Sequence, residues 1–108
     1  MKLFAVAVAG AAFALAAQAA CADPITLTLK DHKFTPAEIH VKANTPAEFI
    51  IVNTDASAEE FDSDSLKVEK VVSGNSRGTV RIRPLPPGRY PFMGEYHEET
   101  AKGVVVAD

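Results

Sequence analysis

Cysteine and tryptophan are nearly missing from this chain: it has one Cys, at position 21, and no Trp. From Asp23 onward there is no cysteine, so that stretch offers no disulfide and no thiolate metal ligand. Basic blocks are absent as well. Residues 23–108 carry ten Lys and Arg against fourteen Asp and Glu, a net charge of −4. Such a surface lacks the positive footprint that nucleic acid binding requires. No linker, repeat or low-complexity stretch follows residue 23, and no segment there sustains a helical period. Gly-rich phosphate loops, H-E-x-x-H spacing and nucleophile–base pairs are also missing, so conventional hydrolase or transferase chemistry finds no support.

What is present begins with an apolar run from Leu3 to Ala17 behind Met1-Lys2. A charged start, a short apolar centre and small residues at the exit form the pattern of a secretory signal peptide over residues 1–22. The run is shorter than the about 20 residues of a membrane-spanning helix. Two exits compete. Ala17-Gln18-Ala19 would leave a chain starting at Ala20, and Ala20-Cys21-Ala22, the preferred one, leaves residues 23–108. Lipid attachment at Cys21 is disfavoured by Gln18, three positions earlier. The expectation is a periplasmic protein with no membrane insertion after cleavage.

Beyond residue 23 the pattern is alternation. Ile25–Leu29, Glu38–Lys42 and Thr79–Arg83 alternate with period two, and Glu48–Asn53 is an apolar strand that ends in turn residues. Val68–Val72, Arg89–Phe92 and Val104–Val106 are shorter strands, with Ser73-Gly74-Asn75 and Pro84–Gly88 as breaks. Seven to eight short strands with turn signals between them predict an all-β sandwich.

The loop between the last two strands holds Met93, Glu95 and His97, a thioether, a carboxylate and an imidazole within five positions. Imidazole suits copper and iron, thioether favours copper(I), and carboxylate favours harder ions. His32, in Asp31-His32-Lys33, lies on a loop before Phe34. His40 belongs to the polar face of its strand.

Phe34–Ala43 with Pro46–Asn53, then Pro87–Phe92, His97 and Gly103–Val106, resemble the two halves of a cupredoxin. Glu59–Ser63, Leu66–Val72 and Gly94–Ala101 are similar to cysteine-free periplasmic cupredoxin-like proteins associated with bacterial iron permeases, of the FtrB type and the EfeO cupredoxin domain. The resemblance implies a cupredoxin-like Greek-key β-sandwich over residues 23–108. Gly94 then stands at the blue-copper cysteine position, His97 at the second histidine, and an acid, Glu60 or its neighbour Glu59, at the first. It further implies a metal site drawn from His97, Glu60, Met93, Glu95 and His32, holding copper or iron. The implied function assists iron uptake, by ferrous iron oxidation or by handing ferric iron to a membrane iron permease and its periplasmic companions. A copper carrier without redox turnover and a metal-free adaptor are the rival expectations.

Overall fold

The computed structural model describes residues 23–108; the signal peptide expected over residues 1–22, Cys21 included, lies outside the described residues. Nine strands form among the described residues: β1 Ile25–Lys30, β2 Lys33–Thr35, β3 Glu38–Val41, β4 Ala47–Asn53, β5 Glu59–Ser63, β6 Val68–Val72, β7 Ser76–Ile82, β8 Gly88–Gly94 and β9 Lys102–Ala107. A 3-10 turn, Glu95–His97, leads from β8 towards β9. The strands make two sheets, ordered β2-β1-β4-β7 and β3-β9-β8-β5-β6. The chain crosses repeatedly between them, so β1 pairs parallel with β4 and β3 parallel with β9, while the other pairs are antiparallel.

Two strands go beyond those expected from alternation. β2 has only three residues, too few to show a period. β5 is masked by its composition: Glu59, Phe61 and Ser63 all face inward, so two of its three core-facing positions are polar. Both are satisfied by hydrogen bonds, as burial of polar groups requires. Ser63 Oγ donates to the Pro91 carbonyl at 2.7 Å and accepts from Leu66 N at 3.1 Å.

The period-two segments bury one face each, as a pleated strand must. Leu27, Leu29, Phe49, Ile51, Val80 and Ile82 from one sheet meet Ile39, Val41, Phe61, Phe92 and Val105 from the other. Phe34, Phe49, Phe61 and Phe92 cluster at the centre. Phe61 stacks on Phe92 at 4.8 Å, and Phe34 meets Phe92 edge-on at 5.2 Å. Such pairs contribute about 0.5–1.5 kcal/mol each beyond their buried area. This aromatic core sits directly beneath one end of the sandwich. There the ends of β1, β4 and β8 and the start of β5 come together: Thr54 N donates to the Leu29 carbonyl at 2.9 Å, and Phe61 is paired with Gly94.

Candidate functional site

Three segments meet at that end: the β1–β2 turn carrying His32, the start of β5 carrying Glu59, and the 3-10 turn carrying His97. Glu59 is 2 % exposed. Its Oε1 accepts hydrogen bonds from the backbone N–H groups of Glu60, at 3.0 Å, and Tyr96, at 2.8 Å. Its Oε2 accepts from His97 Nδ1 at 2.5 Å. A buried carboxylate is costly unless paired and hydrogen-bonded, and these three donors meet that requirement. They also fix the 3-10 turn, whose exit is closed by Ala101 N donating to the His97 carbonyl at 2.9 Å.

Gly94 lies against this carboxylate. Its φ of −95° and ψ of 108° are open to any residue, so the glycine is required for room rather than for backbone freedom. A Cβ at position 94 would stand 2.6 Å from Glu59 Cδ and 2.8 Å from Ala101 Cβ. The Glu59 side chain thus fills the space that a side chain at position 94 would enter.

The His32 ring stacks on the His97 ring, with centroids 3.5 Å apart and planes at 12°. His32 occupies a left-handed backbone position, φ 59°, directly after Asp31 at φ 53°. The Asp55 carboxylate receives both turn N–H groups, from Asp31 at 2.8 Å and His32 at 2.9 Å. Burial pushes the Asp55 pKa up, but these two bonds and the nearby imidazoles of His32 and His97 outweigh it, so the net shift is downward. Among the described residues, neither ring nitrogen of His32 nor Nε2 of His97 is hydrogen-bonded within the protein. His97 therefore has its Nδ1–H oriented by a carboxylate and its second nitrogen uncommitted. That is the arrangement usual for a metal-ligating histidine.

The five residues expected to share a site fall into three groups. His97 and His32 come together. Glu60 follows Glu59 on β5 and, by the pleat, faces the other way; its neighbour Glu59 is the acid that meets His97. Glu60 instead joins Glu95 and Glu69 on the outer surface, where carboxylate oxygens from all three lie within 4.8 Å of one another. A hydrogen bond with Glu60 and its charge hold the Glu95 pKa above the usual carboxylate value, with burial and Asp64 adding to the rise. Asp62 is likewise raised, by burial first and then by the charges of Glu95, Asp64 and Glu98. Met93 is on the outer face of β8, opposite the inward Phe92 and Gly94, and does not share the His97 site. His40 lies apart from these, exposed between Glu38, at 2.9 Å, and Asp108, at 3.4 Å.

The donor types, two imidazoles with a carboxylate orienting one of them, suit copper(II), iron or zinc. The rings are stacked face to face, however, so their in-plane lone pairs run in parallel planes and meet at one ion only when the stack opens. The donor set does not fit a thiolate–copper centre, because Gly94 offers no sulfur and Glu59 fills that space.

Residues 3–107 match the model of the cupredoxin-like domain, and the chain belongs to that family. A Rickettsia prowazekii (strain Madrid E) protein, named as uncharacterized protein RP394, is 37% identical over 84 residues, 78% of this chain and 67% of that one. Among solved structures the fold is similar to a copper binding protein in the apo form, with a TM-score of 0.69 at 18% identity, covering 79% of this chain and 86% of that one. It is also similar to the metal binding domain of the Cu(I) exporting P-type ATPase CopA of Streptococcus pneumoniae D39, solved with Cu(I). There the TM-score is 0.67 at 17% identity, over 79% of this chain and 84% of that one.

Proposed function

We propose that the protein is an exported, periplasmic metal-binding cupredoxin-like protein that assists iron uptake. His97 and His32 hold one copper or iron ion once their rings turn out of the stack, and Glu59 orients His97. The observation that carries this reading is the His32–His97 pair with Nδ1 of His97 tied to a buried carboxylate, which leaves imidazole nitrogens uncommitted at the surface. Membership of the cupredoxin-like family, and similarity to structures named as binding copper, support a bound metal. A bound copper ion supplies one-electron chemistry suited to ferrous iron as substrate. The work of the chain is to fix the imidazoles, hold the proton on His97 Nδ1 and keep a soft sulfur out of the site. The iron assignment rests on the likeness of Glu59–Ser63 and Gly94–Ala101 to the permease-associated proteins.

The test is titration of metal-depleted protein with copper(II), copper(I) and ferrous iron, with ferrous loss followed with and without copper. One equivalent of bound metal and faster ferrous loss support the reading. Binding without ferrous loss leaves a carrier, a role that Met93 no longer supports now that it lies on the opposite face of β8.

A second reading is favoured by a specific observation. Glu59 already accepts three hydrogen bonds, and no buried side-chain polar atom lacks a partner among the described residues. The buried carboxylate of the site is therefore satisfied without an ion, as it would be in a metal-free adaptor. That reading requires partner binding that survives chelator.

A further inference from the structure

We infer that Asp55 is a positioning residue: through the two N–H groups of the β1–β2 turn it holds the His32 imidazole against His97. His32 is the one member of the site that belongs to the other sheet's turn, and its place depends on that turn. The hairpin joins Lys30 to Lys33 with two central residues, both left-handed. A two-residue turn of this hand prefers Asn-Gly or Asp-Gly, because φ is positive at both positions. Here the second position carries a histidine. A side chain with a Cβ kept in that conformation persists only where its surroundings over-determine it, and such positions cluster at functional sites.

Asp55 supplies that determination. Each of its two oxygens takes one turn N–H, at 2.8 and 2.9 Å. These are charge-assisted bonds, stronger than neutral ones. Asp55 is itself fixed to the core. Its N–H donates to Oδ1 of Asn53 at 3.0 Å, and its carbonyl accepts from Asn75 N at 2.8 Å. Asn53 is 1 % exposed, and its Nδ2 donates to the carbonyls of Ser57, Val72 and Ser73. A continuous line of hydrogen bonds thus runs from the buried Asn53 through Asp55 to the His32 backbone. The His32 ring then continues it by stacking on His97, which Glu59 anchors from the opposite sheet. The two imidazoles are held from two sheets by two carboxylates, Asp55 acting on the backbone of one and Glu59 on the ring of the other.

The consequence for affinity rests on the metal reading above; the consequence for the ring stack does not. The test compares the protein with Asp55→Asn and Asp55→Ala. The asparagine keeps one acceptor oxygen and places an amide N–H against the other turn N–H. Ring-proton NMR of metal-free protein reads the His32–His97 stack, copper(II) calorimetry reads affinity, and thermal unfolding reads stability. The expected result is a folded protein in which the stacking shifts and the ring-to-ring contacts are lost or weakened. Copper(II) affinity falls by about 10–100-fold at unchanged stoichiometry, because the His32 backbone is no longer held beside His97; this is the range for removing a group that orients a ligand. A stack that survives in both variants, whatever the change in melting temperature, overturns the inference. Should Asp55→Ala fail to fold, the stack in Asp55→Asn decides in the same way. Loss of the stack in a protein whose unmodified form binds no copper(II) supports the positioning role and removes the metal reading alone.

Discussion

Replacing Gly94 with alanine would test whether the Glu59 carboxylate is locked in place or merely packed there. The new Cβ would stand 2.6 Å from Glu59 Cδ, 2.9 Å from Glu59 Cγ and 2.8 Å from Ala101 Cβ. All three separations are too short, so either Glu59 moves or β8 does. Overpacking of this kind costs about 1–3 kcal/mol when strands and side chains adjust. Moving Glu59 instead sacrifices bonds to Glu60 N, Tyr96 N and His97 Nδ1, and a hydrogen bond to a charged group contributes roughly 1.5–3 kcal/mol. The cheaper route sets the loss, which falls at about 2–3 kcal/mol. With a urea m-value of about 1.5 kcal/mol/M, that lowers the unfolding midpoint by roughly 1.3–2 M. Glu59→Ala, alone and combined with Gly94→Ala, completes a double-mutant cycle. The Ala101 contact remains in the double variant, so the part of the loss due to Glu59 emerges as a coupling of at least about 1 kcal/mol. A Gly94→Ala loss below about 0.5 kcal/mol, or the same loss in the Glu59→Ala background, would refute the reasoning.

His32→Gly relieves a left-handed position, so stability holds or rises by up to about 1 kcal/mol while the ring stack disappears; a loss above about 1 kcal/mol by urea unfolding would show that the stack outweighs the turn. Glu95→Gln tests the outer acidic surface. Because the Glu95 pKa is raised on folding, the unfolded chain ionises it first, and stability declines as pH rises from the unfolded towards the folded value and stays lower above it. The glutamine variant is therefore expected to melt higher at neutral pH and to match the unmodified protein below roughly pH 4, where the unfolded carboxylate is protonated too; equal melting temperatures at neutral pH would contradict this. Copper(II)-loaded protein is expected to be pale, since none of the described residues offers a thiolate, and an intense blue band would contradict the placement of Gly94.

Much of the sandwich was legible in the chain, because its buried faces follow period two. Ile25–Leu29, Glu48–Asn53 and Thr79–Arg83 announce their strands through the same residues that fill the core. β5 was not, because Glu59 and Ser63 stand where apolar residues would normally mark the inward face. A signal was nevertheless present: Phe61 is the one large apolar residue there, and alternation puts positions 59 and 63 on its side of the strand. The same phase rule applies at β8, where an inward Phe92 sends Met93 outward and Gly94 inward. The histidines were legible as residue types on loops. Their stacking was not, because it depends on the left-handed turn at Asp31-His32 and on Asp55, 23 residues further along the chain.

The measurement that bears most directly on the site is electron paramagnetic resonance of the protein with one equivalent of copper(II), beside His97→Ala and His32→Ala. The expected spectrum shows coupling to two imidazole nitrogens and no sulfur character, falling to one nitrogen in each variant. Spectra of unbound copper, or nitrogen coupling unchanged in both variants, would contradict a metal site built on His97 and His32.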